Sequence, residues 1–339
     1  MIYTEQVQRQ KGFEMMNKKV IVITTGGTIE MSQANEAEGI RIQDQHTLQK
    51  TLPLLNQYAN VEMEHLFNLP SPHITPAEMA QIARRVEKYL DREEVKGAVI
   101  THGTDTLEET AYFLDLVLPK NKPVVVTGAM RSHNELGADG PYNLVNAVRV
   151  ASHNNADRKG TLVVFNDEIH SARTVTKTHS SNIATFQSPG LGPMGVITKK
   201  NVIFYREALY EKQLPLNTPS HQVALIKTAA GMDDSIIEWA IAQKMGGIVI
   251  EALGQGNVPP MMLPGIRKAL AQRIPIVLVS RCFNGTVLDT YGYEGGGKQL
   301  KEMGIIFSNG INGQKARIKL MLALEMTTDR QRLEAYFHM

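Results

Sequence analysis

Short runs of continuous apolar and β-branched residues alternate with longer helical patterns in the first part of this chain. The predicted strands are 20–24, 97–101, 123–127 and 160–165, and the predicted helices are 76–90, 107–118 and 142–151. Strands that are apolar on both sides are typical of parallel sheets covered by helices on both faces. The pattern therefore predicts a doubly wound α/β domain over residues 19–205.

A polar segment, 206–222, contains two prolines and no periodicity, which predicts a linker between domains. Beyond it the alternation resumes, with predicted strands at 223–227, 247–251 and 274–279 and predicted helices at 233–244, 260–272 and 314–325. We therefore expect a second, smaller α/β domain over residues 223–339. Residues 1–18 precede the first predicted strand and contain no long apolar run, so we predict a frayed extension there. The triple glycine at 295–297 predicts a flexible loop or turn.

Composition excludes several classes of function. The net charge of +2 and the lack of a Lys/Arg block argue against a nucleic-acid-binding protein. No apolar run is long enough to predict a membrane span or a signal peptide, so we expect a cytoplasmic protein. The single cysteine cannot form an internal disulfide, and the scattered histidines match no metal-binding pattern, so we expect no metal site.

Glycine-containing corners follow three of the predicted strands, and two of them carry threonine beside glycine. These corners are 25–28 (TGGT), 102–105 (HGTD) and 128–131 (GAMR). Ligands bind beyond the carboxyl ends of the strands in open parallel sheets, so we expect the site there. A phosphate-binding turn is disfavoured, because neither G-x-G-x-x-G nor G-x-x-x-x-G-K-[ST] is present.

The corner at 102–105 precedes a predicted helix. Thr106 and Glu109 have the spacing of a capping box, which gives Thr106 a structural role. Thr104 is not needed for that cap, so its hydroxyl is the better functional candidate. Asp105 has two interpretations of equal weight, a functional carboxylate or compensation of the helix dipole. Lys177 would matter only if the fold brought it to Thr104, because an unprotonated amine can activate a hydroxyl.

Together these segments resemble the bacterial L-asparaginase and glutaminase-asparaginase family, over residues 19–337. The resemblance is carried by five segments in order: 24–29 (TTGGTI), 100–110 (ITHGTDTLEET), 127–131 (TGAMR), 138–143 (ADGPYN) and 175–178 (VTKT). It implies hydrolysis of the side-chain amide of L-asparagine to L-aspartate and ammonia through an acyl-enzyme, without a cofactor. It also implies a homotetramer built from intimate dimers.

The resemblance implies a catalytic role for four residues. Thr28 would be the nucleophile that attacks the amide carbon. Thr104, Lys177 and Asp105 would form a second catalytic group, in which Asp105 also binds the substrate's α-ammonium and the N–H of Thr104 contributes to the oxyanion hole.

Four further residues would bind substrate according to the same resemblance. Ser71 would bind the α-carboxylate, and the backbone at Ala129 would contact the leaving amide. Asn257 and Glu294, in the second domain, would reach the active site of a neighbouring subunit.

The chain departs from the family pattern at two places. The family's lid carries a tyrosine, which residues 29–57 lack, so Arg41 or a water would replace it. Pro72 stands where a glutamine is common, which removes a side chain and a backbone donor. Two alternatives stay open. One is a glutaminase-asparaginase of relaxed specificity, because one methylene separates the two substrates. The other is a catalytically weak amino-acid-binding homologue, because the lid tyrosine is missing. A third alternative is the amidase component of a tRNA-dependent amidotransferase. It is disfavoured because such chains carry a module before the first threonine motif, whereas 27 residues precede Thr28 in this sequence.

Overall fold

The computed structural model describes residues 18–33, 40–42, 51–209 and 211–338. The chain divides into two compact units, with the boundary between residues 210 and 211. This boundary lies inside the segment 206–222 for which we predicted a linker. Residues 1–17 of the predicted extension lie outside the described residues. Lys18, its last residue, belongs to the fold, because its carbonyl oxygen accepts a hydrogen bond from the N–H of Asn60 (3.0 Å).

The first unit contains an eight-stranded sheet and two short ribbons. Its strands are β1 (Lys19–Thr24), β2 (Met31–Gln33), β3 (Ile40–Ile42), β4 (Asn60–His65), β5 (Val95–Thr101), β6 (Val124–Thr127), β7 (Thr161–Phe165), β8 (Glu168–Ser171), β9 (Thr176–Lys177), β10 (Phe186–Gln187), β11 (Gly195–Ile197) and β12 (Val202–Phe204). The order in the large sheet is β12-β11-β8-β7-β6-β5-β1-β4. Strands β4, β1, β5, β6 and β7 are parallel, and all of them except β4 were predicted. Strands β8, β11 and β12 extend the sheet in antiparallel fashion.

The described part of this unit contains the helices α1 (Leu52–Leu55), α2 (Pro76–Leu90), α3 (Leu107–Val117) and α4 (Gly140–Ala151). Helix α4 packs against β5 and β6, and α3 packs against α2 and β7. Alternate strand residues, among them Val20, Val22 and Val99, share one core cluster with α4. Because side chains alternate along a strand, the intervening residues lie on the opposite face of the sheet.

Helix α2 begins at Pro76, as the sequence predicted. The hydroxyl of Thr75 accepts from the N–H of Ala77 (3.2 Å), and the carboxylate of Glu78 accepts from the N–H of Thr75 (3.0 Å). With Pro76 at the first helical position, this is a complete capping box. It fixes the segment that leads from Ser71 into the helix.

The second unit has a four-stranded, all-parallel sheet in the order β13-β14-β15-β16. Its elements are β13 (Val223–Lys227), α5 (Ser235–Ala242), β14 (Gly247–Ala252), α6 (Leu263–Ala271), β15 (Ile276–Ser280), α7 (Gly297–Glu302), β16 (Ile306–Phe307), α8 (Gly313–Leu324) and α9 (Arg330–Phe337). The prediction of a flexible loop or turn at 295–297 is wrong for Gly297, because this residue is buried and begins α7. Glu211 and Leu214, inside the predicted linker, are buried, and Glu211 forms an ion pair with Lys319 of α8.

Among the helices that the structure describes, none combines the length and the apolar character that crossing a bilayer requires.

Candidate active site

Lys177, Thr104 and Asp105 meet in the first unit. The Nζ atom of Lys177 lies 2.9 Å from Oγ1 of Thr104 and 2.7 Å from Oδ1 of Asp105. Thr104 and Asp105 follow β5, whereas Lys177 lies on β9, so the fold joins distant parts of the chain. The carboxylate of Asp105 is therefore paired with an amine, in addition to lying near a helix start.

The three side chains differ in their exposure. Thr104 is buried, and the side chain of Lys177 is 14% exposed, whereas that of Asp105 is 62% exposed. The hydroxyl–amine contact is therefore shielded from water. Electrostatic interactions are stronger in such a shielded environment than in water. The carboxylate is open to a ligand on the solvent side.

Close backbone approaches bring three corners together at the carboxyl edge of the sheet. Gly27 lies so close to Gly103 that a Cβ atom on Gly27 would come within 2.5 Å of the Gly103 backbone. A Cβ on Gly103 would come within 2.8 Å of Cβ of Ser71. Gly27 also has a φ of +90°, which L side chains rarely adopt. Glycine at these positions lets the corners after β1, β4 and β5 stack directly on one another.

Ser71 joins the corner after β5 through both its side chain and its backbone. Its Oγ accepts from the N–H of Asp105 (3.2 Å), and its carbonyl oxygen accepts from the hydroxyl of Thr106 (2.7 Å). The predicted capping role of Thr106 is therefore wrong. Thr106 does precede the first residue of α3, but its hydroxyl donates to Ser71 and caps no backbone N–H. These bonds fix Ser71 beside Asp105.

Thr28 begins a single 3₁₀ turn, Thr28–Glu30, directly after Gly27. It is half-buried, and it follows the glycine that stacks on Gly103. Thr28 therefore belongs to the same group of corners as Thr104. Arg41 lies on β3, but its side chain is outside the described residues.

The corner that contains Ala129 is held by residues of the segment leading into α4. The carboxylate of Asp139 accepts from the N–H groups of Met130 (3.1 Å) and Arg131 (2.9 Å). The side-chain amide of Asn143 donates to the carbonyl oxygen of Gly128 (3.1 Å). Ala129 itself is buried. Asp139 and Asn143 lie in the 138–143 segment that carried the family resemblance, although residue patterns had assigned them no role.

A wholly buried histidine, His102, stabilises the corner after β5. Its Nδ1 lies 2.7 Å from the carbonyl oxygen of Gly103, and its Nε2 lies 2.8 Å from Oγ1 of Thr110. Because a carbonyl only accepts, Nδ1 must carry the hydrogen, and in the neutral ring Nε2 accepts from Thr110. Burial lowers the pKa of His102 to about 4, so the ring is neutral near pH 7.

Asn257 and Glu294 form a separate group in the second unit. Oδ1 of Asn257 accepts from the N–H of Gly297 (3.2 Å), and the carbonyl oxygen of Gly295 accepts from the N–H of Val258 (2.9 Å). These bonds join the loop after β14 to the loop before α7. Glu294, on the second of these loops, is exposed.

This arrangement offers the groups needed for acyl transfer. It has two threonine hydroxyls, an amine in contact with one of them, and a carboxylate and a serine suited to an ammonium and a carboxylate. Among the described residues, the acidic, histidine and cysteine side chains form no group of three or more that could hold a metal ion.

Comparison with known proteins finds the same two-part organisation. Residues 19–210 match the sequence profile described as Asparaginase, N-terminal, and residues 222–337 match the Glutaminase/Asparaginase C-terminal domain. An L-asparaginase of Bacillus licheniformis is 37% identical over 312 residues, covering 91% of this chain and 96% of that protein. A glutaminase-asparaginase of Pseudomonas fluorescens is 33% identical over 339 residues, covering 94% and 89%. The crystal structure of a probable cytoplasmic L-asparaginase from Campylobacter jejuni matches with a TM-score of 0.84 and 32% identity, covering 94% of this chain and 99% of that one.

Proposed function

The chain belongs to the asparaginase family, and on that premise we propose that it hydrolyses the side-chain amide of L-asparagine to L-aspartate and ammonia through a threonine nucleophile. The observation that carries the proposal is the contact of Lys177 with both Thr104 and Asp105. A protein that only bound an amino acid would need the carboxylate, but it would have no use for an amine against a buried hydroxyl.

In the proposed first step the hydroxyl oxygen of Thr28 attacks the amide carbon. An ester forms between the substrate acyl group and Thr28, the C–N bond breaks, and the nitrogen leaves as ammonia after taking up a proton. The N–H of Thr104 and the backbone at Ala129 stabilise the oxyanion and the leaving amide. Water then hydrolyses the ester, which releases aspartate and restores the hydroxyl.

The Thr104–Lys177 pair serves as the proton acceptor in both steps. When the amine of Lys177 is neutral, the 2.9 Å contact lets the hydroxyl of Thr104 pass its proton to the amine. The oxygen of Thr104 can then take the proton of the attacking group. Asp105 stabilises the ammonium that forms on Lys177, and its exposed carboxylate also binds the α-ammonium of the substrate, while Ser71 binds the α-carboxylate.

A second activity, on L-glutamine, is supported by the resemblance to the glutaminase-asparaginase of Pseudomonas fluorescens. The two substrates differ by one methylene, a difference worth only about 1–3 kcal/mol in a pocket. We propose asparagine as the better substrate and glutamine as the alternative.

We also propose that the active protein is a homotetramer in the cytoplasm. Asn257 and Glu294 would complete the site of a neighbouring subunit, which requires intimate dimers. The solved relative from Campylobacter jejuni is named a probable cytoplasmic protein, in line with the compartment that we propose.

An ammonia-release assay on L-asparagine, L-glutamine and their D-forms tests the proposed activity. We expect release from L-asparagine to be fastest, with L-glutamine second. Rapid quenching followed by peptide mass spectrometry should find the aspartyl ester on Thr28, and none in the Thr28→Val variant. Tight binding of asparagine without release of ammonia from any of the four amides would contradict the proposal.

A further inference from the structure

Lys177 lies outside the eight-stranded sheet that positions Thr104. Its strand, β9, pairs only two residues with β10, in a separate ribbon. Next to these pairs, the N–H (2.8 Å) and the hydroxyl (2.9 Å) of Thr178 donate to the carbonyl oxygen of Thr185. All of these bonds lie within the ribbon, and an isolated two-stranded ribbon is marginally stable. The position of Lys177 relative to the corner after β5 therefore depends on contacts outside the ribbon.

Glu108 supplies that connection. Its Oε1 atom accepts from the hydroxyl of Thr176 (2.9 Å) and from the backbone N–H of Lys177 (3.2 Å). Glu108 is the second residue of α3, four positions after Thr104, and it is buried. One carboxylate oxygen thus fixes two successive residues of β9 to the helix start that carries Thr104.

We propose that Glu108 is a positioning residue for the reaction: it holds the backbone of Lys177 at the distance from which the amine reaches Thr104 and Asp105. This inference rests on the proposed function, because it assigns Glu108 to the Thr104–Lys177 pair of that mechanism. The position at the helix start favours a carboxylate, since the positive end of the helix dipole stabilises its charge. A displacement of about 1 Å at a reacting group can lower the rate by a factor of about 10². Loss of this connection should therefore lower kcat.

The test compares three substitutions. Glu108→Met has similar length but replaces the carboxylate with a thioether, which is only a weak acceptor. We expect it to lower kcat for asparagine by about 10²-fold, with a smaller change in KM. Glu108→Gln keeps an acceptor oxygen and should restore kcat to within about 10-fold of the native value. Thr176→Val removes the hydroxyl that donates to Glu108 and should have an intermediate effect. Its effect should not add to that of Glu108→Met.

The control is Asp115→Leu, which removes a different buried carboxylate of α3. Asp115 accepts from the N–H of Thr161 (2.8 Å), at the start of β7, so its loss also weakens the attachment of this helix. We expect this variant to lose stability while the folded enzyme keeps its native kcat. Equal losses of kcat in Glu108→Met and Asp115→Leu would assign Glu108 a structural role and overturn the inference.

A second measurement does not depend on activity. Reaction of the native protein with an amine-acylating reagent, read by mass spectrometry, gives the relative reactivity of each lysine. We expect Lys177 to react severalfold faster in Glu108→Met, while Lys122 and Lys159 keep their native reactivity. Unchanged reactivity of Lys177 in that variant would overturn the inference even if the native enzyme were fully active. A native protein that releases no ammonia from amides would instead defeat the proposed function, whatever the labelling shows.

Discussion

The amine of Lys177 lies 2.9 Å from the hydroxyl oxygen of Thr104, although 73 positions of chain separate the two residues. Thr104 is placed by the carboxyl end of β5 and Lys177 by the ribbon of β9 and β10. Hydroxyl and amine therefore come together only in the folded state, and each can be tested by removing its functional atom with little change of shape.

Replacing Thr104 by valine should abolish most of the activity and leave the fold intact. The substitution removes the hydroxyl that contacts Lys177 and keeps the β-branched shape. Because a positioned acid–base group typically contributes about 10²–10⁴-fold, we expect kcat for asparagine to fall by a factor in that range. Steady-state ammonia release and a thermal unfolding curve measure the two effects.

Thr127→Val is the matched control for this substitution. The hydroxyl of Thr127 is also buried at a strand end, but it donates to the carbonyl oxygen of Val164 (2.8 Å). Its loss should cost about 1 kcal/mol of stability without an effect on turnover. Native turnover in Thr104→Val would remove that hydroxyl from the mechanism.

Replacing Asp105 by asparagine should affect substrate binding as well as rate. The exposed carboxylate is proposed to bind the α-ammonium of the substrate, and hydrogen bonds to charged groups are worth about 1.5–3 kcal/mol. We expect KM for asparagine to rise by about 10-fold or more, together with a fall in kcat because Lys177 loses its ionic partner. Initial rates over a wide range of asparagine concentration separate the two terms. A variant with the native KM would show that another group binds the α-ammonium.

Much of the site could be predicted because it follows from one rule, that ligands bind beyond the carboxyl ends of parallel strands. The rule led from the apolar runs to the corners at Thr28, Thr104 and Ala129. The contact of Lys177 with Thr104 could not be derived from the local sequence, because it depends on a two-residue ribbon. It was expected only from the resemblance.

Other features escaped prediction for physical reasons. Strands β8, β11 and β12 have only four, three and three residues, too few to show a periodicity. Strand β4 lies at the sheet edge, so its sequence is mostly polar. The hydroxyl of Thr106 had a local interpretation as a cap that accepts from a backbone N–H, but it instead donates to the carbonyl oxygen of Ser71, which comes from a distant loop. Glu108 carried no signal, because its partners Thr176 and Lys177 arrive only through the fold.

Replacing Gly27 by alanine should disrupt the stacked corners. The new Cβ would come within 2.5 Å of the backbone of Gly103, and the φ of +90° would be strained. We expect a loss of at least about 2 kcal/mol in the free energy of unfolding and a large loss of activity. Gly192→Ala is the control, because its φ of +72° is also positive but no atom lies within 4 Å of the added Cβ. Equal losses of stability and activity in the two variants would contradict this explanation. They would show that the positive φ, and not the contact with Gly103, is the reason for glycine at position 27.

The buried His102 should make the stability of the protein depend on pH. Burial lowers its pKa from 6.5 in the unfolded chain to about 4 in the native protein. Between these values the unfolded chain binds a proton that the native protein does not, so the contribution of His102 to stability is complete above pH 6.5 and falls as the pH drops toward 4. Between pH 7 and pH 5 this amounts to about 2 kcal/mol. Urea unfolding at the two pH values measures this difference.

The His102→Gln variant is the control. It should be less stable than the native protein at pH 7, but its loss of unfolding free energy between pH 7 and pH 5 should be smaller by about 2 kcal/mol. Equal losses in the two proteins would mean that native His102 takes up a proton by pH 5 as the unfolded chain does, so that Nε2 could not accept from Thr110 at that pH.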